Sequence, residues 1–350
     1  MTFSKNYAPQ TMALLGVSCL AACGGGGGGS DDSPAAAQAS IPLFTNDFQA
    51  FAGAQSFTTS AREVRTNGAT VTLDLTIRAA NDGSGDIIIT EGGNDFRLSQ
   101  DPNTGTYLFD NGTVALAAEA ALSDHAGLML IVADQNGVQG GSFHAFGDQI
   151  ASTVPVTGTA YYIGPSAYVA TLSSGGVTSG SGGFVFEANF DTNMVDGVIA
   201  LQDASGTSFT LDFEDATVGA QGFTADNLRL NGLNATVTAS GLQAGFFGDE
   251  AEQVAGSFDV DLTDSAGTQA LVAGGFLGDK QSPEAVAALA SGQPVATSQG
   301  EQIVLGSGSL IGSSGSVYPD GSSSYYNSNT GVSFGADGGG CYYVGDWSNC

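Results

Sequence analysis

Residues 183–201 read GFVFEANFDTNMVDGVIAL. Phe184, Phe186, Ala188 and Phe190 fall on one side of an extended chain, and Val185, Glu187, Asn189 and Asp191 on the other. Successive side chains of a strand point to opposite faces, so this pattern predicts a strand with one apolar face. The period returns at 208–213, where Phe209, Leu211 and Phe213 alternate with Ser208, Thr210 and Asp212. Working outward, eight candidate strands tile this part of the chain: 157–172, 183–190, 195–201, 208–213, 221–230, 233–239, 254–262 and 268–277. Eight antiparallel strands of this kind close into a barrel filled by side chains, which removes the exposed edges. An outer-membrane barrel would need an apolar outer face, whereas the outward positions here include Glu187, Asp212, Asp259 and Asp261; a soluble barrel is expected.

The upstream chain also reads as β. At 69–77, Val71, Leu73, Leu75 and Ile77 alternate with Thr72, Asp74 and Thr76. Short apolar runs at 86–89, 95–98 and 106–109 are separated by Gly, Asn and Asp, and 128–132 reads as a buried strand. Asn111-Gly112 and Asn136-Gly137 suit hairpin turns that need positive φ. The Ala-rich stretch 114–122 fits helix or strand. Past the barrel, Ser282-Pro283-Glu284 followed by AVAALASG has an N-cap serine, a proline at the first helical position and Gly292 after the end, which predicts a short helix. Residues 306–340 are Gly/Ser-rich with Tyr318, Tyr325 and Tyr326, and the chain closes on CYYVGDWSNC. The composition of this tail suits either an adaptable binding surface or a loosely ordered extension.

The beginning of the chain supplies an address. Leu20-Ala21-Ala22-Cys23 ends a short apolar run with small residues before a cysteine, as a bacterial lipoprotein signal peptide does. Residues 12–22 are too few to span a bilayer. Cleavage before Cys23 and lipidation of that residue would anchor the protein in the membrane. Gly24 to Gly29 carry no side chain to pack and predict a flexible tether, continued by the polar linker 31–40. Of the four cysteines, Cys19 leaves with the signal and Cys23 is lipidated, which leaves Cys341 and Cys350 as a disulfide pair in an oxidising envelope, with two free thiols as the alternative. The expected organisation is 1–22 signal peptide, 23–40 lipidated cysteine and tether, 41–150 a β domain, 151–279 the barrel, and 280–350 the helix and tail.

Charge narrows the partners. The chain has 35 acidic against 7 basic residues, a formal net charge of −28, and loss of Lys5 with the signal makes it one unit more negative. Such a charge repels phosphate backbones and anionic lipid heads, so nucleic acid is not expected and a protein partner is expected to be cationic. The acids also keep a surface protein soluble. His125 and His144 are the only histidines, too few for a histidine-based triad or a transition-metal site. Asp82, Ser84 and Asp86 place oxygens as a calcium loop does, but the twelfth position is Gly93, where a carboxylate is needed. No catalytic residue, metal site or cofactor is expected.

Three stretches carry a resemblance. FFGDEAEQVAGSF at 246–258 matches a pattern of aromatic pair, Gly, a loop with Ala and Glu, then small-Gly-x-Phe. NFDTNMVDGVI at 189–199 matches an Asp-Phe, turn, Gly-x-Ile hairpin, and PVTGTAYYIG at 155–164 matches the approach to a first barrel strand. Together these resemble the β-barrel domain of the transferrin-binding protein B family of surface lipoproteins, which is similar in build to haemoglobin-haptoglobin utilisation lipoproteins and factor H-binding protein. The family's proline and glutamate stand here as Asp249 and Gln253, its paired glycines as Ala255-Gly256, and its hairpin aspartate as Asn189.

The resemblance implies an all-β chain in which 41–150 is a handle-like antiparallel sheet ahead of the eight-stranded barrel. It also implies display on the outer membrane through lipoprotein export machinery, and non-catalytic capture of an extracellular protein or small solute, such as an iron- or haem-carrying one. A structural or adhesive envelope lipoprotein is the alternative. Binding scaffolds place contacts in loops, which selects 164–166, 173–182 and 242–253. The binding candidates are Phe246, Phe247, Asp249 and Glu250, the two phenylalanines serving as anchors if exposed and as barrel core otherwise.

Overall fold

The computed structural model describes residues 48–102, 105–148, 154–155, 157–173, 177–203 and 208–290, and beyond these only the backbone of short strands. Cys23, Cys341 and Cys350, and with them the lipidation and disulfide expectations, lie outside the described residues.

The upstream region is built from β1 (Ser56–Arg65), β2 (Thr70–Ala79), β3 (Ile87–Glu91), β4 (Asn94–Gln100), β5 (Tyr107–Asp110), β6 (Val114–Leu122), β7 (Ala126–Gln135) and β8 (Val138–Gly147). Each pairs antiparallel with the next, and β8 returns to β1 through Val64↔Gly141 and Arg65↔Gly140, so the sheet is a closed barrel. The antiparallel sheet expected over 41–150 is therefore present, but its two edges are joined to each other. The ambiguous stretch 114–122 is strand β6, because barrel closure rewards alternation: Ala118 and Ala120 point into the core while Ala121 is buried on the outside. Asn136 and Gly137 both have positive φ, 57° and 82°, as a tight hairpin turn requires. A helix that the sequence pattern does not predict, α1 (Phe48–Ala52), plugs one mouth. Phe48 and Phe51 meet Phe57 and Phe146 edge-on or tilted at centroid distances of 5.6–6.4 Å, which seals the core at that end.

The downstream barrel comprises β9 (Thr159–Leu172), β10 (Val177–Asn189), β11 (Met194–Asp203), β12 (Ser208–Val218), β13 (Gly222–Ala225), β14 (Arg229–Asn231), β15 (Ala235–Phe247), β16 (Gln253–Asp264) and β17 (Gln269–Gln281). β9 pairs with both β10 and β17, and the two routes meet at β12 through β11 and β13. The candidate strand 221–230 is split: β13 and β14 both pair with β12, and Ser240 Oγ on β15 fills the break, accepting Leu228 N–H at 2.9 Å and donating to Asp226 O at 3.2 Å. The interior holds Tyr162, Phe184, Phe186, Phe213, Phe223, Phe246 and Phe276 among others. Gly197 sits against the Phe186 ring, 2.2 Å from where a Cβ would be, so this strand position takes no side chain. After β17, α2 (Pro283–Ala290) begins as the capping pattern predicts, with Ser282 Oγ accepting Ala285 N–H at 3.2 Å. Among the described residues no helix is long and apolar enough to cross a membrane.

The barrels share an apolar seam of Val64, Ala121, Ala126, Leu128 and Phe143 against Ala167, Val169, Phe247, Ala255, Ala273 and Leu277. Arg62 on β1 reaches across it to Asp259, with which it pairs closely, and to Asp261 at 3.0 Å on β16. Two of the carboxylates read as outward-facing, Asp259 and Asp261, thus face the neighbouring barrel and tie the two together.

His144 points into the upstream barrel, where Nε2 lies 2.9 Å from Ser142 Oγ and Nδ1 has no partner. Burial pulls its pKa from 6.5 down to about 4. The unfolded chain therefore binds a proton that the folded chain refuses, so this contribution to stability is complete above pH 6.5 and is lost as pH falls through 4. The loss is roughly 3 kcal/mol at most. Asp212 acts in the opposite sense, because burial pushes its carboxyl up to about 6 despite hydrogen bonds from Thr210 and Asn231. The test is a difference: urea midpoints of His144→Gln should fall less between pH 7 and pH 4 than those of the wild type. Parallel pH curves would contradict this.

Candidate functional site

The site candidate lies where the turn between β15 and β16 meets the upstream barrel. Gly248 opens that turn at φ +81°, and a Cβ there would collide with Glu252 Oε2 at 2.2 Å. Ala251 also has positive φ and is fully buried, with its carbonyl accepting the Tyr162 hydroxyl at 2.8 Å. Burial raises the Tyr162 pKa, which keeps that hydroxyl a donor. Glu252 accepts Glu250 N–H at 2.9 Å, and Lys280 N–H donates to Glu252 O at 2.7 Å. A five-residue turn bound this tightly leaves Asp249 and Glu250 exposed at its tip.

Gln253, which stands in place of the family's glutamate, is 3% exposed and bridges the barrels. Its Oε1 accepts His125 N–H at 2.8 Å and Ala126 N–H at 2.9 Å; its Nε2 donates to Asp279 at 2.9 Å and, more closely, to Ser123 Oγ. An amide supplies both an acceptor for the two backbone donors and a donor for the carboxylate, which a glutamate does not. Gly248 N–H completes the junction on Asp148 O at 3.0 Å. In front of these contacts opens a cleft of about 620 Å³ lined by Gln55, Ser56, Phe57, His125, Gly147, Asp148, Gly248 and Asp249.

The structure places the four predicted binding residues in two groups. Phe246 is 0% exposed in the barrel core and Phe247 is 2% exposed in the seam between barrels, so the exposure that would make them anchors is not met. The expected loop 242–253 shrinks because β15 continues to Phe247; inward Phe246 and seam-facing Phe247 both gain burial by staying in the strand. Asp249 and Glu250 are exposed, and Asp249 lines the cleft. The other expected loops are also largely strand: 164–166 lies within β9, and 177–182 within β10. Gln55, Phe57, His125 and Asp148 were not singled out, because they come from the upstream barrel and nothing in their local sequence marks a neighbour a hundred residues away.

The loop with calcium-like spacing is an arginine holder. Arg97 donates to Asp82 at 2.7 Å, Asp86 at 2.6 Å and Ser84 Oγ at 2.9 Å. The Ser84 and Arg97 hydrogen bonds hold the Asp82 carboxyl down at about 2. Among the described residues, no group of three His, Cys, Asp or Glu side chains is arranged to hold a metal ion.

Two closed antiparallel barrels, joined side by side with a cleft at their junction, define an all-β double-barrel protein. Residues 154–281, the downstream barrel, match the family model described as the C-lobe and N-lobe beta barrels of Tf-binding protein B, which is the family resembled by 246–258 and 189–199. Solved structures with similarity to the chain include a double mutant of transferrin binding protein B from Haemophilus parasuis Hp5, at 16% identity and a TM-score of 0.43, covering 64% of this chain and 45% of that one. Isotype 1 transferrin binding protein B from serogroup B Neisseria meningitidis is similar at 17% identity and a TM-score of 0.41, covering 64% and 44%. A protein of unknown function from Nostoc punctiforme PCC 73102 is similar at 10% identity and a TM-score of 0.21, covering 65% and 95%. The chain thus spans less than half the length of the two transferrin-binding proteins. No curated protein matches it.

Proposed function

We propose that this protein is a non-catalytic capture protein, lipid-anchored through Cys23 at the outer membrane and facing the exterior, that binds an extracellular protein or solute in iron or haem acquisition. The observation that carries this reading is the match of residues 154–281 to the barrels of Tf-binding protein B. The apolar run ending in Leu20-Ala21-Ala22-Cys23 and the six-glycine tether support the anchor.

Full-length protein extracted in mild detergent and immobilised should retain, in a saturable way, a transferrin-like or haem-carrying protein or a siderophore from a defined mixture. No retention, together with altered cell adhesion on deletion of the gene, would favour the structural or adhesive reading. The anchor has its own test. Cells treated with globomycin, or carrying Cys23→Ala, should accumulate unprocessed precursor, because the lipoprotein peptidase acts at a lipidated cysteine. Normal maturation and release of Cys23→Ala would exclude the lipid anchor.

A further inference from the structure

We propose that the chain beyond α2 folds back over the outward face of β9, β10 and β11 and covers it as part of the same molecule. Tyr161, Ile163, Val185, Val198 and Ala200 are all at most 9% exposed, yet they belong to none of the three apolar clusters that form the barrel cores and the seam. They point away from the downstream barrel's interior, because the residues between them, Tyr162, Phe184, Phe186 and Ile199, are the ones that fill it. The register sets Ile163 opposite Val185 and Val185 opposite Val198, so the group forms an apolar stripe across three strands. Water leaves such a face only when another apolar surface replaces it. The upstream barrel meets a different sector, Ala167, Val169, Ala255, Ala273 and Leu277, and the extensive contacts of β10 and β11 are with strands of their own barrel. Val286 on α2 is likewise buried outside the three clusters, and α2 follows directly from β17, whose Gln281 stands opposite Tyr161 at the edge of the stripe.

The chain that leaves α2 has a surface suited to this face. Its backbone forms a short pair, β18 (Val295–Ala296) with β19 (Gln302–Ile303), and then a sheet of β20 (Ser307–Ser309), β21 (Gly312–Val317), β22 (Ser323–Asn327), β23 (Val332–Ala336) and β24 (Tyr342–Val344). β20 and β23 come close to α2, which keeps the sheet near the end of the stripe. The pairs Val317↔Ser323, Tyr325↔Phe334 and Ala336↔Tyr342 fix which positions share a face, since paired residues and every second residue along a strand lie on the same side. One face then carries Val317, Tyr325, Val332, Phe334, Tyr342 and Val344, and the other Ser316, Ser324, Ser333 and Gly335 with Tyr326 and Tyr343. In a chain with 35 acidic residues, β20 to β24 contain no charged residue at all. Two apolar sheet faces pack about 10 Å apart with their side chains interdigitated. The inference is independent of the capture reading, and it makes residues 291–350 part of the fold and not a surface offered to a partner.

The test uses the purified full-length protein in detergent, with Ala200→Cys as a reporter and maleimide labelling at position 200 read by mass spectrometry of its peptide. With the tail unaltered, labelling should be slow and independent of protein concentration. Tyr325→Asp with Phe334→Asp, a pair on the apolar face of the tail sheet, should speed it at least about tenfold by opening the cover. Ser324→Asp with Ser333→Asp places the same charge on the opposite face and should change the rate by less than about twofold. Fast labelling with the tail unaltered would mean that the stripe is open to an outside partner and would overturn the proposal. Slow labelling that both aspartate pairs leave unchanged, that both speed equally, or that is lost on dilution to a monomer would also overturn it, the last because a second copy would then be the cover. Should Ala200→Cys alter the circular dichroism, Val198→Cys takes its place; should the Tyr325/Phe334 aspartate pair do so, Tyr325→Ser with Phe334→Ser decides.

Discussion

Replacing Phe186 with alanine should lower the stability of the downstream barrel by about 3–5 kcal/mol, with a fall in thermal midpoint on the order of 10 °C. The ring is 0% exposed and lies 4.5 Å from Phe184, 5.1 Å from Phe213, 5.8 Å from Phe223 and 5.0 Å from Phe276, centroid to centroid. Removing it strips edge-to-face contacts from Phe213, Phe223 and Phe276 and a tilted contact from Phe184, and leaves a cavity that Gly197, having no side chain, does nothing to fill. Phe186→Leu should recover about half of the loss. Urea unfolding followed by circular dichroism measures both, and a change below about 1 kcal/mol for the alanine variant would contradict this packing.

Replacing Gln253 with leucine should cost about 2–4 kcal/mol through a different mechanism. Leucine occupies similar space but accepts nothing, so the His125 and Ala126 N–H groups lose their acceptor where the barrels meet. The Asp279 carboxylate loses a donor as well. Because these bonds join the barrels, Gln253→Leu should also speed amide hydrogen exchange in the turn 248–252 and at His125 and Ala126. Gln253→Glu should fall between the two, since a carboxylate restores the acceptor for the N–H groups but faces Asp279 with like charge. Unchanged exchange at His125 and Ala126 in the leucine variant would mean that the bridge does not hold the junction.

The downstream barrel was legible because its signal is local. Phe184, Phe186, Ala188 and Phe190 recur at every second position, with Glu187, Asn189 and Asp191 between them, at the period of a strand, and the eight predicted segments map onto β9 to β17 with one strand broken in two. That break at 226–228 depends on Ser240, a residue on another strand, and so could not be read from the segment itself. Closure of the upstream sheet was hidden for the same reason, because the β1–β8 contact joins Val64 to Gly141 and leaves no mark on either segment. α1 was missed because five residues give too short a window for a helical period.

The cleft was half legible. Asp249 and Glu250 stood out through the turn pattern, whereas Asp148 and Phe57 join Asp249 only when the barrels are set side by side. Phe246 and Phe247 show why an aromatic pair next to a loop reads either as an anchor or as core: adjacent positions of a strand face opposite ways, and here both faces are covered. One therefore fills the barrel and the other the seam.

The most direct measurement is made on unbroken cells, with binding of labelled extracellular proteins recorded before and after external protease. A capture protein displayed outside should be cut by the protease, and saturable binding should disappear with it. A chain that stays intact in unbroken cells and is cut only after lysis, with no saturable binding to lose, would contradict surface capture and place the protein inside the envelope.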